Sequence, residues 1–330
     1  MSVKAGFVSS SPEWHWERQL PDGITTWRDV EFVFSGDFQD CDVVFVFDAI
    51  PTNLAGIQPK RSVFVASEPR SIKQYDAGFL SQFDTILTTD RSTQHPNVKI
   101  GQVGLPWHIG AWDDNGDLRT NPMNYKTFES FRPAKTKSIS VVSSSKAYTE
   151  GHRARLAFVQ RLKDYFGDEV DVFGRNINGF GDKTQVLNDY RYHIAIENSC
   201  YEHYWTEKLS DPYLSLTYPI YYGCPNISDY VPENSLTKID IEDAERSIQI
   251  IKRLIESDVA ENATPALEEA RSLVLQDNNL FNILSNQAKL ETSSAGNRTT
   301  LECERYFIKP KYRWKRKTRK LLDRLSGGRN

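Results

Sequence analysis

The chain carries short apolar runs without polar interruption, Val43-Val44-Phe45-Val46-Phe47 and Ser62-Val63-Phe64-Val65-Ala66, followed by the shorter Thr85-Ile86-Leu87-Thr88. A strand with one face in water alternates apolar and polar residues. A continuous β-branched and aromatic run therefore belongs in a parallel sheet covered on both faces. The intervening segments are polar and helix-compatible, so the first part of the chain is expected to be α/β. Met1 to Val8 lacks the apolar core of a secretory signal and reads as a first strand.

The pattern breaks between Asp113 and Lys137, where Asn115-Gly116, Asn121-Pro122 and Arg132-Pro133 are turn signals. An interdomain linker is expected there. A second series follows: strands at Ser138 to Val142, Asp168 to Phe173, His193 to Ile196 and Tyr218 to Tyr222, with a helix at Gly151 to Phe166. Beyond Asp240, Ile248, Ile251, Ile255 and Val259 recur at helical spacing, as do Leu267, Ala270, Leu273 and Val274. With 330 residues, two domains are expected: two doubly wound units facing across a cleft, with a helical C-terminal region. Their expected bounds are 1–125 and 126–304, ahead of a basic tail at 305–330. In such folds ligands sit at the strand C-termini.

Charge separates the tail from the rest. Residues 305–330 hold eleven lysines and arginines against one acid, a net +10, which leaves −13 on residues 1–304 for a total of −3. So acidic a body argues against nucleic acid as a partner. The tail mixes Tyr306, Phe307, Tyr312 and Trp314 with cations and Leu321, Leu322 and Leu325. That is the pattern of a segment lying on an anionic membrane, so a peripheral position on the cytoplasmic face is expected. Cys41, Cys200, Cys224 and Cys303 show no CxxC pairing and are expected to be buried free thiols. The histidines form no metal-ligating spacing.

The densest polar cluster beside an apolar run is Ile196-Glu197-Asn198-Ser199-Cys200-Tyr201-Glu202-His203-Tyr204-Trp205-Thr206-Glu207-Lys208. A strand end delivers Glu197 and Asn198, and Thr206 can cap a helix that starts with Glu207 and Lys208. Helix N-termini attract anions, and a lysine adds a full charge, so the pattern suits a diphosphate.

This run, with Pro219 to Gly223 and Asn226 to Pro232, resembles the signature of the α-1,3-fucosyltransferases, glycosyltransferase family 10. Val170-Asp171-Val172-Phe173-Gly174-Arg175 and Val141 to Ser144, with Arg155 and Leu162, are similar to further family elements. The likeness covers about Ser138 to Pro232 and is faint before that. It implies a GT-B fold and inverting transfer of fucose from GDP-fucose to a hydroxyl of a glycan acceptor, such as lipopolysaccharide or exopolysaccharide. It also implies donor-binding roles for Arg155, Lys208, Glu207, Asn198, Tyr204, Ser143 and Arg175. No cofactor is then required, because two cations can meet the departing phosphates; a divalent Mg or Mn ion stays open as a helper.

Inverting transfer needs a base on the acceptor side. Glu68, in Ser67-Glu68-Pro69 straight after an apolar run, is the expected one. The resemblance implies a base in a similar segment, there ordered Glu-Ser-Pro. His108, in Gly104-Leu105-Pro106-Trp107-His108, is a weaker acceptor-side candidate. Two other readings stay open: transfer of a different nucleotide sugar on the same scaffold, and a non-catalytic glycan- or nucleotide-binding protein.

Overall fold

The computed structural model describes residues 2–21, 25–143, 150–174, 177–291 and 299–307. The first sheet contains β1 (Val3–Ser9), β2 (Thr26–Trp27), β3 (Val30–Val33), β4 (Val43–Phe47), β5 (Ser62–Val65), β6 (Thr85–Thr88) and β7 (Val98–Ile100). Their order is β2-β3-β1-β4-β5-β6-β7, and all pairings are parallel except β2 with β3. The second sheet contains β8 (Lys137–Val142), β9 (Val170–Phe173), β10 (Tyr190–Ile196), β11 (Tyr218–Tyr222) and β12 (Thr237–Lys238), ordered β12-β11-β10-β8-β9 and parallel throughout. The continuous apolar runs are buried strand for strand, β4 and β5 completely. This is the doubly faced burial that parallel sheets impose.

Both sheets reverse direction beside their first strand, between β1 and β4 and between β8 and β10. Such switch points open a crevice at the carboxyl ends of the strands. Ser143 follows β8 at the second crevice, and Glu197 and Asn198 follow β10 there. In the first sheet, Asp48 follows β4 and Glu68 lies just past β5.

Helices α1 (Ala77–Leu80), α2 (Tyr125–Ser130), α3 (Glu150–Phe166), α4 (Thr184–Leu187) and α5 (Glu207–Leu214) lie between strands. After β12 come α6 (Ala244–Ile255), α7 (Val259–Asn262), α8 (Thr264–Leu275), α9 (Leu280–Glu291) and α10 (Glu304–Phe307). The expected linker is more ordered than its turn signals suggested. Within it Asn124 caps α2 through a reciprocal capping box with Thr127, and Tyr125 and Phe128 are buried.

The C-terminal part also departs from expectation, because residues assigned to the second domain return to the first. Helix α9 packs on β1, β2 and β4. The Phe281 ring lies 4.9 Å from Phe32 and 5.6 Å from Phe7. Trp27 Nε1 donates to Asn282 Oδ1 at 3.0 Å, and Leu301 pairs with Ile57. Gly104 makes the approach of α9 feasible: its φ is +71°, and a Cβ there would lie 2.5 Å from the Leu280 Cα. The physical reason is an uncovered face on the first sheet, which Leu280, Phe281, Leu284 and Ala288 cover at 0% exposure. Burying each large side chain contributes about 1.5–3 kcal/mol.

The thiols differ from expectation too. Cys41 and Cys224 are buried, Cys303 is half-buried and Cys200 is exposed. Most of the basic tail, 308–330, lies outside the described residues.

Candidate active site

Glu197 anchors the site on the second sheet. It is 1% exposed, and its carboxylate accepts from the Thr206 N–H at 2.7 Å and the Thr206 hydroxyl at 2.8 Å. Burial pushes its pKa up. Thr206 in turn caps α5 by accepting from the Lys208 N–H at 3.3 Å. The strand end and the helix start are thereby locked together, and Lys208 Nζ stands 3.7 Å from Glu197 and 3.1 Å from Glu207. Gly223 permits this closeness, since a Cβ there would lie 2.5 Å from Glu197 Cγ.

Arg155 comes from α3. Its Nη1 donates to Asn198 Oδ1 at 2.8 Å, while its buried Nε finds no partner among the described residues. The helix reaches Asn198 because position 151 is glycine: a Cβ there would lie 2.5 Å from the Asn198 carbonyl oxygen. Ser143, 1% exposed, also has an unpartnered buried hydroxyl. Buried polar groups in folded proteins are nearly always paired, so an orphaned guanidinium N–H and an orphaned hydroxyl mark a place built for a polar ligand.

Sequence reasoning singled out neither Lys183 nor Asp211. Lys183 Nζ is 2.7 Å from Asp211 Oδ2 and 3.8 Å from Glu207 Oε1. Asp211 is fully buried and also accepts from the His108 N–H at 3.0 Å. The signal for Asp211 was present: it lies four residues after Glu207 on α5, hence on the same helix face. Lys183 had no such signal, because the turn before α4 places it. Burial alone would raise the Glu207 carboxyl, but Lys208, Lys183 and His108 hold it well below the usual carboxylate range. Burial would lower Lys208, but Glu207 and Glu197 hold it above its ordinary value. Lys208 is thus held charged, and it lines a cavity together with Lys183 and Arg155, with β10 as its wall.

Glu68 enters from the other sheet. Burial pushes its pKa up, Asp48 and Glu207 add to the rise, and Lys208 and Lys73 oppose it. Glu68 stands just past β5, at the carboxyl edge of the first sheet, where the charges of Glu207 and Lys208 on the second reach it. Tyr204 is 5% exposed, and burial together with the charges of Glu197, Glu68 and Glu207 raises its pKa. Behind Glu68, Asp48 accepts from Lys73 Nζ at 3.2 Å and from the Tyr75 hydroxyl.

His108 does not join the Glu68 side, as the acceptor-side reading had it. Its ring sits 5.5 Å from Trp14 and 5.3 Å from Trp112, beside the charges of Glu207, Lys183 and Asp211, and burial lowers its pKa. It packs the junction of the two halves, which Asp182 also ties by accepting from the Gly110 and Trp112 N–H groups at 2.9 and 3.0 Å. Arg175 lies outside the described residues. The structure brings Arg155 into contact with Asn198 and Glu207 with Lys208, sets Ser143 at the end of β8 in the same crevice, and leaves Glu68 and Tyr204 within reach of the Glu207 charge. Among the described residues no group of three His, Cys, Asp or Glu side chains is placed to hold a metal ion.

Comparison with known proteins bears on the family likeness and the fold. Residues 132–263 match the family described as glycosyltransferase family 10 (fucosyltransferase), C-terminal. An α-(1,3)-fucosyltransferase of Helicobacter pylori is 34% identical over 89 residues, covering 27% of this chain and 18% of that protein. A GDP-fucose protein O-fucosyltransferase 3 of Xenopus laevis is 34% identical over 94 residues, covering 24% of this chain and 20% of that protein. The matched part is thus about a fifth of these relatives. The crystal structure of an α1,3-fucosyltransferase with GDP-fucose superposes with a TM-score of 0.51 at 16% identity, over 90% of this chain and 92% of that one. The fold is GT-B.

Proposed function

We propose that this chain, whose residues 132–263 match glycosyltransferase family 10, is a member of that family and transfers fucose from GDP-fucose to a glycan hydroxyl with inversion at the sugar carbon. What supports the reading is the cavity lined by Arg155, Lys183 and Lys208, together with Glu68 at the carboxyl edge of the other sheet, where the charge of Lys208 reaches it. In this reaction the acceptor oxygen attacks the anomeric carbon, the bond from that carbon to the diphosphate breaks, and the acceptor proton goes to Glu68. GDP departs with growing negative charge, and fixed cations in a water-poor site stabilise it most where that charge develops. Arg155 supplies a planar fork for the phosphate oxygens, with its free Nε available; Lys208 supplies a point charge. Glu207, held ionised, and Asn198 and Tyr204 are left to meet nucleoside or sugar hydroxyls.

The raised pKa of Glu68 suits a general base, which works best with a pKa close to the operating pH. Glu68→Gln should lower kcat by about 10²–10⁴-fold and leave GDP affinity, read by calorimetry, within about twofold of the parent. Unchanged turnover would remove Glu68 from the mechanism. If UDP-sugars protected the protein against heat and GDP-fucose did not, the donor assignment would be wrong.

We also read the basic segment 305–330 as a contact with an anionic membrane on the cytoplasmic face, on the strength of its +10 charge and interleaved aromatics. Among the described residues no helix is long and apolar enough to cross a membrane. Co-sedimentation with vesicles containing phosphatidylglycerol, lost when 305–330 is deleted and absent with phosphatidylcholine alone, is the expected result. Equal sedimentation with both lipids would defeat the electrostatic reading.

A further inference from the structure

The segment 299–307 runs back over the first half of the chain and ends beside the hollow that Glu68 lines. Leu301 is 0% exposed; its N–H donates to the Ile57 carbonyl and its carbonyl accepts from the Gly56 N–H, both at 2.8 Å. Gln82 grips the next residue twice, its Nε2 donating to the Glu302 carbonyl at 2.9 Å and its Oε1 accepting from the Glu302 N–H at 2.7 Å. Helix α10 then packs on α1, with the Phe307 ring 6.1 Å from Phe79. Gly78 leaves room for this contact, since a Cβ there would lie 3.1 Å from both Phe307 Cδ1 and Asp76 Oδ1. Ala77 and Leu80 of the same four-residue helix line the hollow, about 200 Å³ in volume, together with Glu68, Arg70, Lys73 and Asp90. A chain continuing from Phe307 thus starts about 10 Å, one helix diameter, from the hollow.

What continues from Phe307 is opposite in charge to what it meets. Residues 308–330 carry ten lysines and arginines against Asp323, a net +9, which leaves −12 on residues 1–307. The hollow and its rim have the sign of the body. Glu68 and Asp90 line it, Asp48 stands behind and Asp76 beside Phe307, while the two cations of the lining are already engaged. Lys73 Nζ lies 3.2 Å from Asp48 Oδ1, and Arg70 Nη1 donates to Ser92 Oγ at 2.7 Å. The half-buried Glu68 carboxylate makes no hydrogen bond or ion pair with another described residue, so a cation arriving there displaces no partner. Lys309, Lys311 and Arg313 follow Phe307 by two, four and six residues. At ~3.3 Å per residue they reach up to about 7, 13 and 20 Å, which spans the distance. A tether this short holds the cations at an effective concentration of order mM, so contacts too weak to bind a separate peptide are enough.

We propose that segment 308–330 folds back over this hollow, pairing its first cations with Glu68, Asp76 and Asp90, so that the free protein keeps the hollow closed with its own tail. The docking rests on the anchored α10 and on charge; only its effect on turnover rests on the transferase reading above. Carbodiimide cross-linking of the full chain at low salt, read by peptide mass spectrometry, tests the docking. Lys309 or Lys311 should be joined within one chain to Glu68, Asp76 or Asp90, and the products should vanish in 1 M NaCl, where charges are screened within about 3 Å. No product with these carboxylates, or an equal yield with Asp258, 86% exposed on the other half, would overturn the proposal. Turnover is tested with GDP-fucose and a soluble glycan at low salt. The full chain carrying Lys309→Gln, Lys311→Gln and Arg313→Gln, and the chain lacking 308–330, should each exceed the parent in kcat/KM at least threefold, with the gap closing in 1 M NaCl. Equal kcat/KM in the three proteins would overturn the closure. If none of them transfers fucose, the transferase reading fails and the cross-links alone decide the docking.

Discussion

The crevice of the second sheet holds its charges in a closed, mostly buried network, whereas the crevice of the first leaves them spread over separate loops. On the second sheet Glu197, Thr206, Glu207, Lys208, Lys183 and Asp211 are linked by contacts of 2.7 to 3.8 Å. On the first sheet the Lys73 and Tyr75 contacts to Asp48 are local, and Arg91 and Glu202 at the cleft mouth are more than half exposed. An invariable, highly charged ligand rewards a rigid, pre-charged pocket, since nothing then has to reorganise when charge develops. A neutral partner recognised by hydroxyls needs an open, wet surface. Under the proposed function the difference fits donor binding at the second sheet and acceptor binding at the first.

The sharpest way to break that comparison is at Asp211, which serves both halves. Asp211→Ala removes the close partner of Lys183 and the acceptor of the His108 N–H, leaving a mostly buried cation with only the more distant Glu207 carboxylate at 3.8 Å. It should destabilise the protein by about 3–5 kcal/mol, read as a fall in the urea midpoint. Next comes Lys208→Ala, which should lower kcat/KM by about 10²–10³-fold, as loss of one transition-state-stabilising group does. An equal loss in Arg91→Ala would erase the distinction between the two crevices.

A smaller effect is expected from pH. Burial raises the Glu68 pKa in the folded state, so the protonated form favours folding. That contribution is complete below the unfolded carboxylate value and is lost as pH rises through the raised one. Glu68→Gln should therefore melt higher than the parent at neutral pH, with the gap closing on acidification. The parent's activity should fall as pH drops through the same raised value, above the ordinary carboxylate range. Smallest of all, Arg91→Ala should change stability by only about 0–1 kcal/mol, because its pair with Glu202 is solvent-exposed. A larger shift in melting temperature would show that the mouth is as rigid as the donor crevice.

How legible each side was follows from how far apart its residues lie in the chain. The donor cluster was readable because Glu197 to Lys208 is one stretch, with a capping threonine and a strand in front of it. Strands β4 and β5 could be read from continuous apolar runs, while β3, only Val30-Glu31-Phe32-Val33, was too short and mixed to stand out. Lys183 was invisible, since nothing local distinguishes a lysine before a four-residue helix from a solvated one.

By itself, the order of residues determined the two parallel sheets and the helix that starts at Glu207 with Thr206 as its cap. These depend on burial periodicity and hydrogen bonds within about ten residues. Tertiary structure alone decided three things: that α9 returns to cover the first sheet, that Glu68 feels Lys208, and that Glu68 and Asp90 line one hollow. Parallel register aligns Phe47 with Val65 and Val65 with Leu87, so Asp48, Glu68 and Asp90 all emerge at one edge although they lie twenty or more residues apart. No local pattern encodes that edge, because it exists only once the strands are paired and the two crevices are turned toward each other.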